Sequence, residues 1–337
     1  MTRLSRRQAI RTLFCASAAL ALNVRPRLVS AADLGDVRSD KHLLLLGDFG
    51  ATGTTSKQAE VAGAMKSYLA RNKVQTSGLL LLGDNFYGKV EGGVNSSRWK
   101  SGYEDMYPAS SFPGPSCVVL GNHDYHDNAL GDQMQLEYPR LHSQSRWTLP
   151  SKWYRRDFPE QDPLVTFLFL DSNLPTVSGL FSMKVGRLLH SLTKEEEAAQ
   201  LAWLNSEFAK PRAPFTVVVG HHPLYSNGAH GDTKALIHSW GDLFQKYAVH
   251  AYVCGHDHDL QHLELEGLKT SFVISGGGGA KIRNLKGKRP AKFAKSVHGF
   301  THLQISRERL LFRHIDPQGQ QLHAFAKKLN GAVEVLS

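Results

Sequence analysis

Five short apolar runs in this chain each end in a glycine followed at once by a side chain able to hold a metal ion. His42–Leu46 leads into Gly47-Asp48, Leu79–Leu82 into Gly83-Asp84, and Cys117–Leu120 into Gly121-Asn122. Phe215–Val219 leads into Gly220-His221, and Val249–Cys254 into Gly255-His256, with His258 two residues on. Runs of this length bounded by turn residues read as buried strands. A glycine at the exit is expected to let the chain turn sharply, so that the next side chain faces the crevice.

Between the runs lie stretches with helical spacing. Ala59, Ala62, Met65 and Leu69 mark one over residues 56–71. Thr193-Lys194-Glu195-Glu196 resembles a capping box and opens a second, which Pro211 closes just after Ala209. Leu236, Ile237, Trp240, Leu243, Phe244 and Tyr247 mark a third over 233–247. From Phe300 the pattern becomes short alternating strands with turns near Arg307 and Gly319. Strands alternating with helices define an α/β architecture. In such sheets ligand sites lie beyond the carboxyl ends of the strands.

The first 31 residues read as an address. Ser5-Arg6-Arg7-Gln8-Ala9-Ile10 resembles a twin-arginine export signal, an apolar stretch runs from Leu13 to Leu22, and small residues near Ala31 suit cleavage. The expectation is an export signal over 1–31 and a single domain over 32–337. With it go use of the twin-arginine export machinery, a periplasmic or secreted location, and no stable membrane insertion after cleavage. No apolar run approaches the length of about 18 residues that a spanning helix needs. The formal charge is +10, but six Arg and no acid lie in the first 31 residues, which leaves +4. That small excess, without a recognisable binding motif, argues against nucleic acid as a partner. Three Cys cannot build a disulfide scaffold. Cys117 and Cys254 lie in apolar runs and read as buried thiols, with one disulfide as the alternative.

Asp48, Asp84, Asn122, His221, His256 and His258 offer carboxylates, an amide oxygen and imidazoles. Such donors suit Fe, Zn or Mn. They are too many for one tetrahedral zinc. They suit two ions roughly 3.5–4 Å apart that share a carboxylate.

Taken in order, Asp48-Phe49-Gly50, Gly83-Asp84-Asn85-Phe86-Tyr87, Gly121-Asn122-His123-Asp124, Val218-Val219-Gly220-His221 and Gly255-His256-Asp257-His258 resemble the five motifs of the purple acid phosphatases. The likeness is to the small tartrate-resistant type within the calcineurin-like metallophosphoesterase superfamily, over roughly residues 42–316. Members of the wider superfamily usually open with Asp-x-His. Here Gly50 stands where that His would be, and Tyr87 is the replacement ligand that the purple enzymes use.

The resemblance implies a two-sheet β-sandwich flanked by helices, the four-layer metallo-dependent phosphatase fold. It implies that Asp48, Tyr87 and His258 hold a ferric ion, that Asn122, His221 and His256 hold a divalent Fe, Zn or Mn, and that Asp84 bridges the two. It implies an acid phosphatase that hydrolyses small phosphomonoesters by attack of an iron-activated hydroxide. His123 and His230 would then share the tasks of protonating the leaving oxygen and neutralising phosphoryl charge, in an order the sequence does not assign. Three ligand anions against five cationic charges leave such a site near about +2, which favours an anionic substrate.

Around the motifs, Asp124 is a candidate to orient His123. His222, His126 and His262 match no family ligand and are expected beside the ligands or at the surface. Gly276–Gly279 is expected to be a close backbone approach beside the pocket, and residues 174–192 a loop that covers it. Two rival functions share the motifs: a phosphodiesterase or nucleotidase on the same metals, and an exported iron-binding protein without useful turnover.

Overall fold

The computed structural model describes residues 40–178, 190–287 and 289–336. The expected export signal lies outside them, as do residues 179–189 within the expected covering loop.

Fifteen strands make up the two sheets of the described chain. They are β1 (Lys41–Leu46), β2 (Gly78–Leu82), β3 (Ser116–Val119), β4 (Trp147–Thr148), β5 (Tyr154–Phe158), β6 (Val165–Phe169), β7 (Phe215–Val219) and β8 (Ala251–Cys254). There follow β9 (Leu260–Leu263), β10 (Ser271–Ser275), β11 (Phe293–Lys295), β12 (Phe300–Ile305), β13 (Arg309–Ile315), β14 (Gln321–Lys328) and β15 (Val333–Val335). One sheet has the order β15-β14-β13-β12-β1-β2-β3-β4, the other β11-β9-β10-β8-β7-β6-β5. Both are mixed: β1 to β4 run parallel in the first, and β6, β7, β8 and β10 in the second.

The apolar runs lack polar alternation because both faces of each central strand are covered. In the second sheet Phe167, Phe169, Val217, Val219 and Val253 point into the core shared with the first sheet. Their neighbours Leu168, Val218, Tyr252 and Cys254 point the other way, against a second apolar cluster. That cluster holds Leu204 and Phe208 of the helix Lys194–Ala209 and Trp240 and Phe244 of the helix Lys234–Lys246. The helix Gln58–Asn72 buries Val61, Met65 and Leu69 in the apolar cluster that includes the first sheet. The result is the two-sheet sandwich flanked by helices.

The capping box is formed: the Thr193 hydroxyl accepts from the Glu196 amide at 3.1 Å, and the Glu196 carboxylate accepts from the Thr193 amide at 2.9 Å. Cys117 and Cys254 are buried free thiols, which removes the disulfide alternative. Burial pushes the Cys117 thiol up to about 11.

Candidate metal centre

The exits of β1, β2 and β3 meet those of β7 and β8 at one end of the sandwich. The Asp48 amide donates to the Gly83 carbonyl at 2.9 Å, and the Gly255 amide to the His221 carbonyl at 3.0 Å. The His256 amide crosses between the sheets to Asp48 Oδ2 at 2.8 Å.

Seven side chains singled out from the sequence converge here, in two groups. The Tyr87 hydroxyl lies 2.9 Å from Asp84 Oδ2, 3.1 Å from His258 Nε2 and 3.3 Å from Asp48 Oδ1. His221 Nε2 lies 3.2 Å from Asn122 Oδ1, 3.3 Å from His256 Nδ1 and 3.4 Å from Asp84 Oδ1. Asp84 belongs to both groups and turns one carboxylate oxygen to each.

Backbone carbonyls set the imidazoles. His221 Nδ1 lies 2.8 Å from the Leu82 carbonyl, and His258 Nδ1 2.7 Å from the Lys281 carbonyl. A carbonyl only accepts, so each Nδ1 carries a proton and each Nε2 faces the centre.

The exit glycines act differently from the expectation. Of the five, Gly83 alone takes a left-handed backbone, with φ 88°. Instead Asp48, Asp84 and His256 themselves sit at φ 58°, 54° and 69°. Such conformations cost roughly 1–3 kcal/mol each and persist where a site demands them. Gly121 and Gly220 are there for want of space. A β-carbon would lie 2.2 Å from the Asp84 amide nitrogen at Gly121, and 2.3 Å from the Tyr252 hydroxyl at Gly220.

Asp48 and Asp84 are 0% and 1% exposed. Among the described residues their ion-pair partners are His258 and His221, and neither meets a Lys or Arg. Burial pushes the Asp84 carboxyl up, but His221 and His123 more than offset it and hold the group below its usual range. Burial, then Asp84 and Asp48, pushes the Tyr87 phenol well above its usual range. Burial, then His222 and His221, holds His256 well below its usual value and so neutral. Buried carboxylates need a compensating charge, and hard oxygen donors beside imidazoles fit divalent or trivalent cations.

His123 and His230 flank the two groups. The His123 ring lies 4.2 Å from that of Tyr87, and the His230 ring 4.1 Å from that of His256. Each has a carboxylate partner: His123 Nδ1 lies 2.9 Å from Asp127 Oδ2, and His230 Nδ1 2.9 Å from Asp257 Oδ1. Burial lowers the His123 pKa, but Asp127 and then Asp84 more than reverse this and push it up to about 9.

Asp127 corrects the expectation for Asp124. Asp124 is buried and accepts from the amides of Asn85, Phe86 and Gly121, so it fixes the loop that carries Tyr87 and does not touch the His123 ring. The signal for Asp127 was its place four residues after His123 on the short helix Asn122–His126 and its cap. Asp257 stood in plain view between two ligands.

The nitrogens of His221, His222 and His256 lie within 4.8 Å of one another. His222 is nonetheless an unsuitable ligand, because its Nδ1 faces the Ser172 hydroxyl at 2.8 Å and its Nε2 the Ser178 hydroxyl at 3.3 Å. It packs behind His256, with ring centres 4.3 Å apart. His126 Nε2 reaches the Ser178 carbonyl at 3.0 Å. His262 lies neither beside the ligands nor at the surface: it is fully buried on β9, 2.9 Å from His323 Nε2 and 2.7 Å from Glu264 Oε1. The glycine run is the expected close approach, since a β-carbon on Gly276 would lie 2.0 Å from the Asp257 carbonyl oxygen.

This fold and this centre define a metallophosphoesterase, and the chain belongs to the calcineurin-like phosphoesterase family, which matches residues 34–260. Within that family it is a purple acid phosphatase, a phosphoric-monoester hydrolase of the dinuclear-metal type. It is 29% identical to tartrate-resistant acid phosphatase type 5 of Mus musculus over 82% of this chain and 87% of that protein. It is 31% identical to purple acid phosphatase 7 of Arabidopsis thaliana over 83% of this chain and 84% of that one. A solved structure of GAP50, the anchor in the inner membrane complex of Plasmodium, has a TM-score of 0.69 over 85% of this chain and 87% of that chain at 24% identity. That likeness concerns the fold.

Proposed function

We propose that the protein hydrolyses small phosphomonoesters outside the cytoplasm with a ferric ion and a divalent ion. The supporting observation is the division of seven donors into two groups joined through the two oxygens of Asp84. Asp48, Tyr87 and His258 would hold the ferric ion, and Asn122, His221 and His256 a divalent Fe, Zn or Mn. The elevated phenol of Tyr87 favours the ferric ion on its side, because only a strong Lewis acid takes up such a group as phenolate. When bound, two such ions acidify water and polarise a phosphoryl oxygen.

The chain's own residues do the rest. Asp127 holds His123 protonated at neutral and acid pH, so its ring brings a positive charge and a proton to the phosphate. Asp257 fixes the His230 ring over the other group, with Nδ1–H donating to the carboxylate. Export rests on the twin-arginine pattern of the first residues. Among the described residues no helix is long and apolar enough to cross a membrane.

Turnover of p-nitrophenyl phosphate and of bis(p-nitrophenyl) phosphate tests the reading. The monoester is expected to be the faster, and faster diester turnover would favour the phosphodiesterase instead. His123→Ala and His230→Ala are each expected to lower kcat by about a hundredfold. Unchanged turnover in both would contradict the roles given to the two histidines, and no turnover of either ester by the wild type would leave an iron-binding protein.

A further inference from the structure

A basic segment begins at the wall of the metal centre. Residues 281–295 hold seven Lys and Arg and no Asp or Glu, more than the whole +4 excess outside the first 31 residues. Its start is pinned to the centre through the backbone. The Ala280 amide donates to the Asp48 carbonyl at 2.8 Å, and the Lys281 carbonyl accepts from His258 at 2.7 Å. The Arg283 carbonyl accepts from the Ser296 hydroxyl at 2.6 Å, and the Lys286 amide donates to the Asn227 carbonyl at 2.9 Å. Lys281 and Arg283 therefore hold a fixed place relative to the ligands.

Both line a cleft of about 550 Å³ that also takes in Tyr87, His123 and His258, and no carboxylate lines it. Arg283 Nη1 lies 2.7 Å from His230 Nε2. The same Nη1 lies 3.1 Å from His230 Nδ1, so the guanidinium is seated against that ring. Among the described residues neither Lys281 nor Arg283 meets a carboxylate, whereas Arg289 further along is paired with Asp232. The guanidinium keeps further N–H donors in its planar fork, the geometry that suits an oxyanion.

When bound, two metal ions would engage the phosphate that is cleaved, beside His123 and His230. Lys281 and Arg283 stand on the wall of the cleft beside His258 and His123, which no carboxylate lines. We propose that these two residues form a subsite for a second negatively charged group of the substrate. The enzyme then selects phosphomonoesters whose remaining part carries a carboxylate or a further phosphate. The proposal rests on the phosphatase reading above and adds its substrate class.

The test compares 4-carboxyphenyl phosphate with phenyl phosphate, each scored as kcat/KM. The wild type is expected to favour the carboxylate ester by about tenfold, the worth of one charge-assisted hydrogen bond. Arg283→Gln and Lys281→Gln are expected to bring that ratio towards one, and Arg283→Lys to keep part of it. Taking the ratio cancels any loss common to both esters. Calorimetry on the metal-loaded protein supplies a readout without turnover: 3-phosphonopropionate is expected to bind more tightly than propylphosphonate, and Arg283→Gln to erase the difference. No preference in the wild type, or a preference that survives in both glutamine variants, would overturn the subsite. A wild type that turns over neither ester would overturn the phosphatase reading instead, and the calorimetric difference would still decide the subsite.

Discussion

A β-carbon on Gly50 would lie 2.1 Å from the carbonyl oxygen of Asn85. The Gly50 amide donates to the Asp84 carbonyl, and the Gly50 carbonyl accepts from the Tyr87 amide, both at 3.2 Å. The loops after β1 and β2 are thus joined backbone to backbone, and no side chain fits at position 50. The same contact brings the Tyr87 hydroxyl to Asp48 and Asp84. A histidine at position 50 and Tyr87 in its present place exclude one another. Gly50→Ala is expected to destabilise the fold by about 1–3 kcal/mol, the range for overpacking a filled interior. Chemical denaturation checks this, and a midpoint equal to that of the wild type would contradict it.

Asp127 Oδ2 lies 2.9 Å from His123 Nδ1 and positions that ring. Asp127→Asn is expected to lower kcat by about tenfold or more with a smaller change in KM, as for other residues that orient a working imidazole. Asp127→Glu should recover part of the loss. Steady-state kinetics and the alkaline limb of the pH profile, where His123 loses its proton, report it. A kcat unchanged in Asp127→Asn would contradict the orienting role.

The five strand ends and the donors that follow them were legible because both rest on local rules: an apolar run, then glycine, then a donor. The helix Lys194–Ala209 was legible from its capping box, and the strands from β12 onward from alternation. Asp127 and Arg283 were not. Asp127 matters through an i,i+4 contact on a five-residue helix that has no apolar stripe to announce it. Arg283 reaches His230 across 53 residues of chain, which no local pattern records. His262 was misjudged for the same reason, since its partner His323 lies 61 residues along the chain. His42 and His302 lie buried, 3.0 Å apart, on paired strands β1 and β12, where the sequence shows only isolated polar residues.

That buried pair predicts acid sensitivity. His302 is held well below its usual value by burial, then by Arg313 and His42, and His314 likewise by burial, then by His323 and His262. In the unfolded chain each takes its proton near about pH 6.5. The unfolded state therefore binds more protons as the pH falls, so the stability these rings allow is present above that value and lost below it. Thermal unfolding from pH 8 to pH 4 is expected to show a falling Tm below about 6.5, with a shallower fall in His302→Gln. Parallel curves for the two proteins would contradict this.

Asn122 and Tyr87 stand in different donor groups, so their loss should separate the metals. Asn122→Ala is expected to lower the divalent-metal content and spare any visible absorption. Loss of the absorption in this variant would mean that the two ions are exchanged between the groups.

The most direct measurement is metal analysis with a visible spectrum of purified wild-type protein and Tyr87→Phe. About two metal ions per chain, one of them iron, are expected, as a two-metal hydrolase requires. A broad visible absorption should be present in the wild type and absent from Tyr87→Phe. A colourless wild type with two zinc ions, or an absorption that survives in Tyr87→Phe, would contradict a ferric ion held by Tyr87.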